Sequence, residues 1–158
     1  MFIRALIAFI ALPGIAAIVA PPLIAYFDPW KGFRWAPGIF VMCIGGFVLL
    51  WCVRDFYISG KGTLAPWDPP RKLVVVGLYR FMRNPMYVGV LLLVLGWSLY
   101  FRSPILFLYT AILALGFHIR VVKKEEPWLN EQFGNQWVLY QQEVPRWLPR
   151  TTPWKDDP

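Results

Sequence analysis

The sequence predicts an all-α integral membrane protein with about four transmembrane helices. Hydrophobic residues make up 58% of the 158 residues and charged residues only 16%, more apolar surface than a soluble domain of this length could bury. The apolar residues form long runs, separated by short links that contain Pro, Gly and Asp. Basic residues flank these runs, so the net charge of +7 indicates contact with anionic headgroups rather than nucleic acid.

The first two predicted spans precede a long polar loop. The first covers residues 2–27, and its prolines predict a kink. Arg4 followed by an apolar stretch resembles a signal peptide, but the run is long enough to cross a bilayer, so we expect a retained helix. The second span covers residues 37–53 and contains Gly45-Gly46, where a neighbouring helix could approach closely.

The third and fourth predicted spans form a tight helical hairpin. They cover residues 85–101 and 104–122, and only Arg102-Ser103 lies between them. Asn84 before Pro85 is a strong helix-start signal, because Asn caps helices and Pro fits their first position. A helix N-terminus beside arginines suits an anionic group. The segment is either a binding site or only a well-anchored helix start.

The distribution of positive charge predicts the orientation. The long loop carries Lys61, Arg71, Lys72, Arg80 and Arg83, and the tail over residues 123–158 starts with Lys123-Lys124. The opposite side carries only Lys31, Arg34 and Arg102. The positive-inside rule therefore places the N-terminus, the loop and the tail in the cytoplasm. We expect residues 1–158 to form a single membrane-embedded domain.

The tail contains a predicted amphipathic helix. Apolar residues recur at helical spacing, at Leu129, Phe133, Trp137, Tyr140 and Val144. Gly134-Asn135 interrupts the pattern. Such a helix could lie on the membrane surface or close over the long loop, and these two interpretations are compatible.

Four ionisable residues near the end of the fourth span are candidates for chemistry. His118 and Arg120 lie at membrane depth, where ionisable side chains are costly and commonly functional. Alternatively, Arg120 extends to the headgroups and His118 makes one structural hydrogen bond. Glu125-Glu126 would also be favoured simply by the dipole of a helix that begins there. No nucleophilic triad and no metal-ligand spacing is present in the sequence, and we predict no metal site.

Several motifs together carry a resemblance to a known family. They are Gly77-x-Tyr79-x-x-x-Arg83-Asn84-Pro85-x-Tyr87-x-Gly89, the apolar hairpin, Glu125-Glu126, Phe133-Gly134 and the ending Tyr140…Val144-Pro145. With these, the stretch from Gly62 to Leu148 resembles the isoprenylcysteine carboxyl methyltransferase family, whose wider group includes phospholipid methyltransferases. The segment from Gly62 to Pro70 looks like bacterial members, which implies a bacterial inner membrane protein.

The resemblance implies a membrane methyltransferase that uses S-adenosylmethionine, with the loop and the tail helix capping a cytoplasmic cofactor pocket. The cofactor-binding residues implied are Arg71, Lys72, Leu73, Val74, Tyr79, Arg83, Asn84, Pro85, Met86, Tyr87 and Glu125. His118, Arg120 and Glu126 are the candidate catalytic residues at the acceptor. The acceptor would be a lipophilic molecule with a carboxylate, amine or thiol.

Two positions depart from the family pattern. Asn84 stands where the family often has His, and Val121 stands where it carries a substrate-side Arg. These departures keep a second hypothesis open, a non-catalytic lipid-binding or assembly protein of the same fold. A third hypothesis, a reductase, rests only on analogy with the C-terminal architecture of some sterol reductases.

Overall fold

A computed structural model describes residues 10–59 and 72–155 of the chain, and the regular structure of these residues is entirely helical. The α-helices are α1 (Ala20–Phe27), α2 (Pro37–Ser59), α3 (Pro85–Phe101), α4 (Pro104–Arg120), α5 (Glu126–Phe133) and α6 (Asn135–Glu143). A π-helical segment, Ile10–Val19, precedes α1, another, Val121–Glu125, joins α4 to α5, and a 3-10 helix covers Gly77–Arg80. The predicted all-α class is confirmed for these residues.

Three of the predicted helix starts are found where the sequence places them. Helices α2, α3 and α4 each begin at a proline, whose missing N–H costs nothing in the first turn. Ser103 caps α4, because its hydroxyl accepts a hydrogen bond from the backbone N–H of Leu106 at 3.1 Å. The second helix extends six residues beyond its predicted end, to Ser59.

Glycines set the close packing of α2 against α3. A Cβ atom on Gly45 would lie 2.8 Å from the carbonyl oxygen of Gly89, and one on Gly38 would lie 2.7 Å from that of Gly96. Neither distance is compatible with a side chain, so the two backbones meet at both levels. The close approach predicted at Gly45 is confirmed, and it follows the small-residue packing of membrane helices.

Within residues 10–59 and 72–155, two helical stretches are long and apolar enough to cross a membrane: Pro37–Asp55 and Pro104–Phe133. Only 22% and 11% of their most apolar windows are buried, whereas the core helix of a soluble protein would be mostly buried. Their exposed apolar surfaces therefore fit a lipid environment. The apolar helices Gly14–Phe27 and Pro85–Phe101 are shorter, so the four-span arrangement stays a prediction.

The sequence pattern predicted that the fourth span ends at residue 122, but the helix continues beyond this residue. The chain continues through the π-helical segment into α5 as one stretch that ends at Phe133. Pro127 explains why this stretch contains a π turn, because proline has no N–H and clashes with the carbonyl one turn earlier in a regular helix. The wider π turn precedes this proline, and there the N–H of Glu126 bonds to the carbonyl of Val121.

The short apolar segment after Lys72 lies between the membrane helices and the tail. Its side chains alternate as in an extended chain. Val74 packs with Cys52 and Tyr79, whereas Leu73 and Val75 pack against the tail. The segment thus joins the end of α2 to the C-terminal part of the protein.

The tail forms one apolar cluster and then runs back along the start of α3. The cluster contains all five periodic residues of the sequence pattern: Leu129, Phe133, Trp137, Tyr140 and Val144. The predicted interruption is confirmed at Gly134, which has φ +50°. Beyond α6, three backbone hydrogen bonds of 2.8–3.0 Å tie the tail to the chain before α3: Arg83 N–H to Pro145, Arg150 N–H to Phe81, and Trp154 N–H to Arg80.

Candidate active site

The start of α3 is held by the tail rather than by a side-chain cap. Asn84 is the N-cap residue, as predicted, but its side chain makes no capping hydrogen bond. Instead, its amide nitrogen donates to the carbonyl oxygen of Arg146 at 3.2 Å. The predicted capping role of Asn84 is therefore wrong, because the tail offers an acceptor that the sequence pattern did not reveal.

Glu126 joins two arginines that are far apart in the sequence. Arg83 Nη1 donates to Glu126 Oε1 at 2.9 Å, and Arg146 donates to both carboxylate oxygens at 2.7 and 2.8 Å. The side chains of Arg83 and Glu126 are only 10% and 14% exposed. Burial lowers the pKa of Arg83, while hydrogen bonding to Glu126 raises that of Arg146. We call these three residues the Glu126 network.

Glu125, the adjacent residue, has different partners at the ends of α3 and α4. Arg120 Nε donates to Glu125 Oε1 at 2.7 Å and lies 3.1 Å from the Tyr87 hydroxyl, and that hydroxyl also donates to Glu125. The side chains of Arg120 and Glu125 are 41% and 30% exposed. None of the described residues bonds the terminal nitrogens of Arg120. We call Tyr87, Arg120 and Glu125 the Glu125 network.

His118 is connected to this region through the tail. The indole N–H of Trp147 donates to His118 Nδ1 at 3.2 Å, and the Trp147 ring lies 6.5 Å from that of Tyr87. Because indole is a donor only, Nδ1 carries no proton, and in the neutral ring the proton is on Nε2. His118 as a whole is exposed, so this N–H group is available for a further hydrogen bond.

A cleft of about 570 Å³ lies between the extended segment and the tail. Its lining residues are Leu73, Val75, Val76, Gly77, Arg80, Gln136, Trp154 and Lys155. The side chain of Arg80 donates to the carbonyl of Trp154 at 2.8 Å, which fixes one edge. The cleft combines an apolar wall with two cationic side chains.

The predicted cofactor-binding residues are distributed over several environments. Leu73 lines the cleft, Lys72 is exposed, and Val74 points away into the apolar cluster at Cys52. Tyr79 is buried, and its carbonyl accepts a hydrogen bond from the Tyr140 hydroxyl at 2.7 Å. Burial raises the pKa of the phenol groups of Tyr79 and Tyr140, so both stay protonated.

The remaining predicted residues fall into three groups. Pro85 and Met86 are packing residues of the α3 start. Arg83 and Glu126 meet in one network, and Tyr87, Arg120 and Glu125 meet in the other. Arg71 lies outside the described residues.

Sequence reasoning missed four residues that the fold brings to the site region: Asp55, Arg146, Trp147 and Trp154. Arg146 and Trp147 directly follow the Val144-Pro145 ending, so their position beside that motif was the available signal. Asp55 is buried near the end of α2, and Gly77 packs against its carboxylate. No local pattern distinguishes Asp55 from other residues that end a membrane helix.

The fold and the site define a helical protein of lipid-facing character that gathers arginines and glutamates at one end of its apolar helices. Residues 33–136 match the family model for phospholipid methyltransferase. Because this match covers more than half of the chain, the chain belongs to the phospholipid methyltransferase family. The predicted resemblance to the isoprenylcysteine methyltransferases is also confirmed by individual relatives.

Two of these relatives come from Arabidopsis thaliana. Protein-S-isoprenylcysteine O-methyltransferase B is 36% identical over 78 residues, which are 49% of this chain and 40% of the relative. Protein-S-isoprenylcysteine O-methyltransferase A is 32% identical over 77 residues, 49% of this chain and 39% of the relative. The matched stretch thus covers about two fifths of these relatives. An uncharacterized Haemophilus influenzae protein is 33% identical over 63 residues, which are 40% of this chain and the whole of that protein.

Proposed function

We propose that this protein transfers a methyl group from S-adenosylmethionine to a lipophilic acceptor at the cytoplasmic membrane face. Membership of a methyltransferase family supports the reaction class. The half-exposed Glu125 network is the observation that carries the proposal. It presents charged groups at the ends of two apolar helices, where a membrane-soluble acceptor can approach from the lipid.

Several described residues support the choice of S-adenosylmethionine as the cofactor. A cleft of about 570 Å³ is within the range of small-ligand sites. Leu73, Val75 and Trp154 would contact an adenine ring, and Arg80 and Lys155 would attract the carboxylate. The cofactor, when bound, supplies an activated methyl group on a positively charged sulfur, so the protein needs mainly to orient and desolvate the reactants.

Arg120 is the residue we assign to the acceptor. Its Nε is held by Glu125 and Tyr87, which fixes the plane of the guanidinium group. The terminal nitrogens can then bond an acceptor carboxylate, or orient an amine or thiol acceptor through its neighbouring carbonyl groups. His118 would add the Nε2 N–H as a second donor on the same side of the membrane. Glu125 does not line the cleft, so its predicted contact with the cofactor stays a prediction, which the binding experiment below tests.

Glu126 has a different proposed role. Both of its oxygens accept hydrogen bonds from arginines, and its side chain is 14% exposed. We propose that Glu126 and Arg83 act as positioning residues, which hold the tail against the start of α3. This proposal replaces direct catalysis by Glu126 and direct cofactor contact by Arg83.

Binding of S-adenosylmethionine to the protein in lipid nanodiscs tests the proposal. We expect saturable binding to the wild type and at least about tenfold weaker binding to Glu125→Gln, which removes a charged hydrogen-bond acceptor. Glu131→Gln is the matched control, because Glu131 is exposed on α5 and belongs to neither network. Wild-type protein that binds no S-adenosylmethionine would contradict the proposal.

A non-catalytic lipid-binding role is the second candidate. One observation favours it: Val121, which stands where the family carries an Arg, is 1% exposed and cannot offer a charge. Lipid binding without S-adenosylmethionine binding would support this candidate. Binding of a nicotinamide cofactor would instead support the reductase hypothesis.

We also propose an orientation in the bacterial inner membrane with both termini in the cytoplasm. The exposed side chains of Lys72, Lys123 and Lys124 support it, because they lie on the side that carries the excess of basic residues. Cysteine introduced in place of Lys124 should be protected from membrane-impermeant thiol reagents in intact cells. Cysteine in place of Lys31 should react. The reverse labelling would contradict this orientation.

A further inference from the structure

Asp55, near the end of α2, has a carboxylate that the described residues satisfy only in part. The residue is 6% exposed, and its Oδ1 accepts a hydrogen bond from the exposed Arg54 at 3.3 Å. Its Oδ2 is buried and has no hydrogen-bond partner within the described part of the chain. An unpaired buried carboxylate oxygen is costly, so a hydrogen-bond donor that the described residues do not supply would stabilise it.

The position of Oδ2 connects this oxygen to the cleft. A Cβ atom built on Gly77 would lie 1.9 Å from Oδ2, so the carboxylate is packed directly against this glycine. Gly77 has φ +53° and itself lines the cleft. Glycine meets both requirements here, because it adopts this conformation without strain and leaves room for the carboxylate directly behind the residue that lines the cleft.

The charges around the cleft give the carboxylate a complementary role. Arg80 and Lys155 provide positive charge on the cleft lining, and Asp55 provides the negative group beside Gly77. A ligand with a carboxylate and hydrogen-bond donors would complement the two cationic side chains and the carboxylate of Asp55. S-adenosylmethionine has these groups: a carboxylate, an ammonium group and ribose hydroxyls.

We propose that Asp55 is a cofactor-binding residue, whose Oδ2 accepts a hydrogen bond from the ammonium group or a ribose hydroxyl of S-adenosylmethionine. This inference rests on the proposed function. It adds a residue from the second membrane helix to a site otherwise built from the loop and the tail.

Ligand binding to Asp55→Asn, measured by titration of the full chain in nanodiscs, tests the inference. We expect affinity for S-adenosylmethionine to fall about tenfold to a hundredfold, since a hydrogen bond to a charged group is lost. The matched control is Arg54→Gln, which removes the exposed partner of Oδ1 and should change the affinity less than about twofold. Equal affinities of Asp55→Asn and the wild type would overturn the inference, although the proposed function would stand. No binding to the wild type would remove the proposed function itself.

Two smaller ligands identify the donor that Asp55 contacts. S-adenosylhomocysteine retains the amino acid part, whereas methylthioadenosine lacks it and keeps the ribose. If Asp55 binds the ammonium group, Asp55→Asn should weaken only S-adenosylhomocysteine. If it binds the ribose, both ligands should lose affinity.

A structure of the wild-type protein with S-adenosylhomocysteine decides the matter if Asp55→Asn does not fold. Oδ2 should lie about 3 Å from a nitrogen or hydroxyl of the ligand. A bound ligand that makes no contact with Asp55 would assign this residue a structural role and overturn the inference.

Discussion

The two adjacent glutamates at the start of α5 have the same side chain but differ in their hydrogen-bond partners and in their exposure. Glu126 accepts hydrogen bonds from two arginines through both oxygens and is 14% exposed. Glu125 shares one oxygen between Arg120 and Tyr87 and is 30% exposed. The comparison indicates that one glutamate fastens the tail to the start of α3, while the other remains accessible at the helix ends.

The helix explains how neighbours in sequence come to have separate partners. Successive residues of an α-helix point about 100° apart, so one glutamate faces the tail and the other faces the membrane helices. The π-helical segment Val121–Glu125 ends at this point, and its wider turn sets the directions in which the two side chains point. Such π segments occur often at functional sites, and here one separates a fastening residue from an accessible one.

Removal of Glu126 should have the largest effect on stability. Glu126→Ala leaves Arg83 buried without a counter-charge, and breaking a buried ion pair in this way costs about 3 kcal/mol. Thermal unfolding in nanodiscs should show a clearly lower midpoint for this variant than for the control Glu131→Ala. An unchanged midpoint would mean that the Glu126 network does not fasten the tail.

Removal of the charge on Glu125 should instead affect activity. We expect Glu125→Gln to reduce methyl transfer about a hundredfold, roughly 2.7 kcal/mol in transition-state free energy. Stability should change by less than about 1 kcal/mol, because the Arg120–Glu125 pair is partly exposed to solvent. Activity assays and thermal unfolding on the same preparation check both parts. A stability loss as large as that of Glu126→Ala would erase the distinction between the two glutamates.

Arg146→Lys tests how much the tail depends on the two-pronged contact with Glu126. Lysine keeps the charge but cannot form the parallel pair of hydrogen bonds, so we expect a loss of about 1 kcal/mol. In limited proteolysis, the part of the tail that follows Glu143 should then be cleaved faster than in the wild type. Lys124→Gln, an exposed charge change next to Glu125, should leave the cleavage rate unchanged. Equal rates for both variants would contradict this role of Arg146.

Trp147→Phe should produce the smallest effect. It removes the hydrogen bond to His118 while preserving most of the ring packing, so methyl transfer should fall by about threefold to fivefold. A double-mutant cycle with His118→Asn provides the check, since the double variant should lose no more activity than His118→Asn alone. Full additivity would show that Trp147 does not act through His118.

Much of the fold was accessible from the sequence because membrane helices obey local rules. Prolines 37, 85 and 104 predicted three helix starts, and Gly45 predicted a close helix contact. The apolar period of the tail predicted its cluster residues, since helical spacing places them on one face. These features depend on neighbours in sequence, so a single chain reveals them.

The site was less accessible, because its contacts join distant parts of the chain. The pairing of Arg83 with Glu126 spans 43 positions, and the bond from Asn84 to Arg146 spans 62. The motifs named Arg83, Arg120, Glu125 and Glu126, which the fold brings together in two networks. They could not assign each glutamate to its arginine, because that depends on the rotation of a helix after a π turn.

The sequence by itself determined the helical class, the lipid-facing composition and the family resemblance, because composition, periodicity and local motifs carry them. The tertiary structure alone decided that the tail, rather than a capping Asn84, holds the start of α3. It also decided that Glu125 and Glu126 belong to different networks, and that a carboxylate from α2 packs against Gly77, which lines the cleft. The reason is physical: hydrogen bonds and buried charges are satisfied by whichever groups the packed chain brings within about 3 Å, whatever their separation in sequence.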